Sequence, residues 1–94
     1  MTVLTGTYGS VHVIRSGNVV TLIADLYASS PLAANTVLVE GVPKPATSST
    51  YRRSGLLVGS NGMCEICVDG TDLKTVLALA NSGYYRTILT YICE

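Results

Sequence analysis

The residues best suited to chemistry are the cysteines. Cys64 and Cys67 stand as "CEIC", and Cys93 and the single histidine, His12, are the remaining soft ligands. A redox pair or a zinc knuckle sets C-x-x-C on a turn or at a helix start, where the two sulfurs converge. Here the motif lies inside an alternating run, and strand residues three apart point to opposite faces. Packed, reduced cysteines are therefore expected, with a cross-strand bridge to Cys93 or a metal site as the alternatives. No recognised ligand spacing is completed. His12, Asp25 and several serines supply the residue types of a hydrolytic triad, but no nucleophile elbow accompanies them. His12 reads instead as a half-buried packing residue on a strand. The carboxylates Asp25, Glu40, Glu65, Asp69, Asp72 and Glu94 are scattered, without the pairing that acid–base catalysis needs. "GTDL" and "GSNG" lack the lysine and the glycine pattern of a phosphate loop. The sequence points to no enzyme, no metal and no cofactor.

Binding is better supplied. "YRR", Tyr51 to Arg53, places a phenol beside two guanidinium forks after a proline-rich stretch. Arginine forks match planar pairs of acceptors, so Tyr51, Arg52 and Arg53 can grip a sugar's hydroxyls, a phosphate-bearing glycan or a partner's carboxylate. The alternatives are a solvated strand start and a salt bridge between subunits. Tyr84, Tyr85 and Arg86 form a second cluster of the same composition. A glycan wants a shallow groove, a tyrosine face to stack on and planar polar groups, and these two clusters are the best contiguous sources.

The composition narrows the partners. Six Lys plus Arg balance six Asp plus Glu, so the chain lacks the cationic excess that nucleic acid or a polybasic membrane contact requires. No run of 18 apolar residues occurs, and "MTVLTGTYGS" has neither a basic n-region nor an apolar core. The expectation is synthesis in a cytoplasm, with exit, if any, by a route such as lysis. Only 13% of residues are charged while 48% are hydrophobic, and the aromatic residues are six Tyr with no Phe or Trp. So little charge on so small a chain implies that another copy covers part of its outside. Tyrosine suits such half-apolar, half-wet places.

The elements that must hold these residues are short β runs between turn signals. The 94 residues make one domain, 1–94. "SVHVIRS" (Ser10 to Ser16) and "VVTLIADLY" (Val19 to Tyr27) flank Gly17–Asn18, the signature of a tight hairpin. In the second run Val20, Leu22, Ala24 and Leu26 form one apolar parity, while Val19 and Ile23 make the other partly apolar. "TVLVE" (Thr36 to Glu40) reads as a short strand. A second hairpin is expected at Asn61–Gly62, leading into "MCEICVD" (Met63 to Asp69). Thr71 to Gly83 is ambiguous. Leu73, Val76, Leu77 and Ala80 have helical spacing with a cap at Thr71 or Asp72, so a short helix over 71–81 competes with one more strand, and the β context favours the strand. Seven or eight strands at this spacing give an all-β sandwich or barrel. The last run, Tyr84 to Cys93, is apolar on both parities: Tyr85, Thr87, Leu89, Tyr91 and Cys93 on one, Tyr84, Ile88 and Ile92 on the other. A strand with one wet face should be apolar on one parity only.

Together, "GSVHVIRSGNVVTLIADL", "VEGVPKPA", "SNGMCEICVD" and "SGYYRTILTYICE" resemble the C-terminal head or knob domains of tailed-bacteriophage fibre, baseplate and receptor-binding proteins. The elements that carry the resemblance are a "GNVV"-like second strand, a mid-chain Gly-aliphatic-Pro-x-Pro loop and a closing Gly–aromatic–aromatic strand ending in "LTYI". They occur in that order over nearly the whole chain. The departures are the leucine-rich Leu73 to Ala80 segment and Tyr84 where tryptophan is common. The resemblance implies a compact antiparallel, jelly-roll-like β-sandwich assembled as a homotrimer on a virion. It would be joined to an upstream fibre or baseplate protein and bind a host cell-surface polysaccharide without catalysis. In such a head one parity of the last strand, Tyr84, Ile88 and Ile92 or the opposite one, lies against a sister copy, and a closed ring leaves no growing edge. A purely structural trimerisation or decoration domain without a ligand is the competing expectation. A monomeric regulator using "CEIC" is the third.

Overall fold

The computed structural model describes residues 1–4, 6–46 and 54–94. It is all-β: β1 (Thr2–Val3), β2 (Thr7–Ser16), β3 (Val19–Ala28), β4 (Val37–Glu40), β5 (Ser54–Gly59), β6 (Gly62–Asp69), β7 (Asp72–Thr75) and β8 (Gly83–Ile92). All pairings are antiparallel, in one sheet of order β1-β4-β7-β6-β5-β8-β3-β2. The sheet curls until its two ends nearly meet, where the Thr7 amide donates to the Leu4 carbonyl at 3.0 Å. The result is a barrel-like sheet that is almost closed.

Alternation decides what lies inside. The expected parity of β3 (Val20, Leu22, Ala24 and Leu26) is buried. It faces the buried parity of β8 in register, with Val20 opposite Tyr91, Leu22 opposite Leu89, Ala24 opposite Thr87 and Leu26 opposite Tyr85. Cys64, Ile66 and Val68 of β6, Leu57 of β5 and Leu73 of β7 complete the core. In β4 the alternation breaks, and Leu38 and Val39 are both buried. A register shift between Val37 and Val39 causes it, because a bulge turns successive side chains to one face.

One ambiguity closes and one expectation needs correcting. The described residues contain no helix, and β7 occupies Asp72–Thr75 of the ambiguous 71–81 stretch, as the β context favoured. Its backbone donors are taken across the sheet, Thr75 N–H by Thr36 O and Val76 N–H by Glu65 O, which leaves no helical ladder to form. Leu77 and Ala80, which a helix would bury with Leu73, are exposed, while Leu79 is buried and bridged to Leu32. The second hairpin also turns one residue earlier than expected. Its two loop residues are Ser60 and Asn61, and Gly62 pairs with Gly59. Asn61 is recruited elsewhere, its side chain donating to Ser82 O at 3.0 Å while its carbonyl accepts from the Asn81 side chain at 2.9 Å.

Two core polar groups carry predictions. Thr87 is buried, and its Oγ1 is the one buried side-chain polar atom among the described residues without a hydrogen-bond partner. Thr87→Val keeps the branched shape and removes that cost, so it should stabilise by about 1 kcal/mol and raise the melting temperature by a few degrees in calorimetry. Tyr91 is also buried and donates to Pro43 O at 2.7 Å. Burial, helped by the nearby Cys93 thiol, pushes its phenol up to about 12. The fold favours the neutral phenol, so this stabilisation is whole below the ordinary tyrosine value of about 10. It is lost as the pH rises from there through the folded value, and Tyr91→Phe should abolish that dependence. Urea titrations should find the variant about 1 kcal/mol weaker at pH 7, with the deficit closing or reversing by about pH 11.

Candidate functional site

The question raised by the last strand resolves into an inside and an outside. Tyr85, Thr87, Leu89, Tyr91 and Cys93 point into the barrel, while Tyr84 and Ile88 are 77% and 73% exposed. The outer face of β2, β3 and β8 is an ordered array, because the two registers align three strands. Tyr8, Tyr27 and Tyr84 form one row across the strands, and Ser10, Asp25 and Arg86 form the next. His12, Ile23 and Ile88 form the third.

The first two rows make the site. The Tyr27 and Tyr84 rings lie 4.7 Å apart, tilted by 50°. Arg86 Nε meets Asp25 Oδ1 at 3.4 Å, and the two side chains are 81% and 63% exposed, so both keep polar edges towards solvent. A groove of about 640 Å³ runs over Tyr8, Gly9, Ser10, Asp25, Leu26, Tyr27, Tyr84 and Arg86. A second groove of about 440 Å³ lies beyond the ridge formed by Asp25, Tyr84 and Arg86, walled by Val58, Gly59 and Ser60. Gly9 makes the first floor possible. It lies at φ 136°, and a Cβ there would overlap the Asp25 carbonyl oxygen. The groove volumes fall in the range of small-ligand sites, and their lining mixes aromatic surface with a few polar groups.

The expected site residues are divided by this arrangement. Tyr84 and Arg86 stand in the site. Tyr85 touches the second groove but is buried, 2% exposed, and its hydroxyl donates to Asn81 O at 2.7 Å. It anchors the loop rather than offering a face to a ligand. Tyr51, Arg52 and Arg53 lie outside the described residues. The sequence reading missed Tyr8, Ser10, Asp25 and Tyr27. A signal for them existed: the two-residue turn at Gly17–Asn18 sets Ser16 opposite Val19 and, stepping outward, Ser10 opposite Asp25 and Tyr8 opposite Tyr27.

The motifs weighed for other chemistry do not converge among the described residues. Cys64 points into the core and Cys67 to the other face, so "CEIC" diverges as expected, and none of the three cysteines is disulfide-bonded. Burial raises the Cys64 thiol, keeping it protonated and inert. His12 is exposed opposite Ile23 rather than half-buried, because its parity of β2 faces out. No group of three or more His, Cys, Asp or Glu among the described residues gathers as a metal site would require. Compared with protein-family models, curated proteins and solved structures, the chain finds no match in any of the three.

Proposed function

We propose that the chain is the receptor-binding head of a tailed-phage fibre or baseplate protein, trimeric on the virion, which binds a host cell-surface saccharide without catalysing its cleavage. The observation that carries the reading is the row of Tyr8, Tyr27 and Tyr84 beside Ser10, Asp25 and Arg86, with a groove on either side of the Tyr84–Arg86 ridge. Tyrosine faces stack on the apolar side of a pyranose, and a carboxylate next to a guanidinium serves adjacent hydroxyls. An upstream fibre or baseplate protein would hold the head in place.

Self-association is supported by a separate set of residues. Ile14, Leu56, Met63 and Ile88 are all large, apolar and exposed. Beyond Thr7, the outer backbone of β2 pairs with no other strand among the described residues. An edge strand of ten residues without proline or lysine is one that proteins ordinarily cover. These features also favour a second reading, a trimerisation or decoration domain with no ligand, since they need no saccharide.

Tyr84→Ala separates the two readings. Tyr84 stands out in solvent, so the variant should fold and assemble normally while its binding to host cells or to a glycan array falls about tenfold, the loss of one stacked aromatic face. A wild-type domain that assembles but binds neither cells nor glycans supports the structural reading instead.

A further inference from the structure

The charge pattern of the site narrows the saccharide. This step rests on the saccharide-binding reading above and goes beyond it. Among the described residues lining the two grooves, Asp25 and Arg86 are the only charged ones, and they are paired with each other. We infer that the site takes an uncharged oligosaccharide of at least two units, lying across β2, β3 and β8 along the tyrosine row, with neighbouring hydroxyls on Asp25 and Arg86.

Three features of the site argue for this. The first is neutrality. A carboxylate or phosphate drawn to Arg86 meets a guanidinium whose charge Asp25 already offsets, with Asp25 Oδ1 3.4 Å from Nε, and on that edge it sits close to the carboxylate. At about 4 Å, like charges repel by roughly 1 kcal/mol in water and more as the groove is desolvated. An ammonium sugar drawn to Asp25 meets the same penalty from Arg86. A neutral sugar meets neither: one hydroxyl donates to Asp25 Oδ and its neighbour accepts from the Arg86 guanidinium, with the ion pair still in place.

The second feature is length. Tyr8, Tyr27 and Tyr84 occupy three adjacent strands, which repeat at about 4.8 Å, so the row extends about 10 Å across the sheet. That is longer than one pyranose ring, and a single sugar would leave part of the aromatic surface bare. The third feature is the flat floor. A Cβ on Gly9 would overlap the Asp25 carbonyl oxygen, so glycine lets β2 lie close against β3 where the groove crosses from one strand to the next.

The test titrates the full 94-residue chain with two sets of probes, followed by amide chemical shifts. One set is neutral hexose and N-acetylhexosamine oligosaccharides of one to four units. The other is matched oligosaccharides carrying a uronic acid or a phosphate. Neutral probes should perturb Tyr8, Ser10, Asp25, Tyr27, Tyr84 and Arg86. Affinity should rise at least about fivefold from one unit to two, and the acidic partners should bind about tenfold more weakly. Asp25→Asn, an exposed change that leaves the core intact, should erase most of that tenfold preference. Tighter binding of the acidic probes, equal affinity for one unit and three, or an unchanged preference in Asp25→Asn overturns the inference and leaves saccharide binding standing. Shifts confined to another surface overturn it too. If no probe of either set binds, the saccharide reading itself falls and this inference with it.

Discussion

Gly59→Ala is expected to destabilise the fold by about 3 kcal/mol, the upper end of the usual cost of overpacking. The sheet order shows why so small a change matters. β5 and β8 join the β1-β4-β7-β6-β5 half of the sheet to the β8-β3-β2 half, and among the described residues they pair at two positions, Val58 opposite Arg86 and Gly59 opposite Tyr85. A Cβ on Gly59 would overlap the Tyr84 carbonyl oxygen and come within 2.7 Å of Tyr85 Cδ1. One obstacle is backbone, and the other is a buried ring tied to Asn81 O, so neither yields easily. Gly55→Ala on the same strand is the control. Its Cβ would meet only the end of the Leu89 side chain, at 3.0 Å, which can rotate away. Urea unfolding should show a midpoint more than 1 M lower for Gly59→Ala, since a chain of this size has a slope of about 1–3 kcal/mol per molar, and a much smaller change for Gly55→Ala. Equal midpoints would show that the joint tolerates the extra methyl. Gly59 also walls the second groove, so the unstable variant should bind ligand less well, even at temperatures where it stays folded.

The second large effect concerns assembly. Ile88 is 73% exposed, opposite Ile23 at the middle of the outer face. In the proposed trimer it is covered. Ile88→Glu then places one unpaired carboxylate per copy in an apolar contact, at a cost of several kcal/mol each. Three such costs exceed what a modest interface can sustain, so the variant should be monomeric. The isolated fold should scarcely notice, because the side chain lies outside the core. Sedimentation at about 10 µM should give three times the mass of one chain for the wild type and one chain's mass for Ile88→Glu, with similar melting of the monomeric unit. A wild type that already sediments as one chain ends the self-association proposal, whatever the variant does.

The sequence carried the local part of this structure and little of the rest. Alternation in Val19 to Tyr27 located the core parity of β3, and Gly17–Asn18 located its hairpin, because both signals lie within a few residues of each other. The divergence of Cys64 and Cys67 followed from the same period of two. What remained hidden depends on contacts distant in sequence. The run after Thr71 has helical spacing, yet carbonyls from Thr36 and Glu65 take up its donors, and no local pattern reveals that. The site was half legible. Tyr84 and Arg86 were picked out by composition, and Tyr8 with Tyr27 were missed although the hairpin register pairs them, while placing Tyr84 beside Tyr27 requires the β3–β8 pairing across more than fifty residues.

That pairing also governs when the protein can form. β8 is sandwiched between β3 and β5, so the centre of the sheet stays empty while the chain is being made, until Ile92 has cleared the ribosome exit tunnel. Before then the nascent β2–β3 hairpin presents Val20, Leu22 and Leu26, the core parity of β3, with nothing to close over them. High contact order makes the final zipping slow, and the waiting hairpin is the species a chaperone would hold.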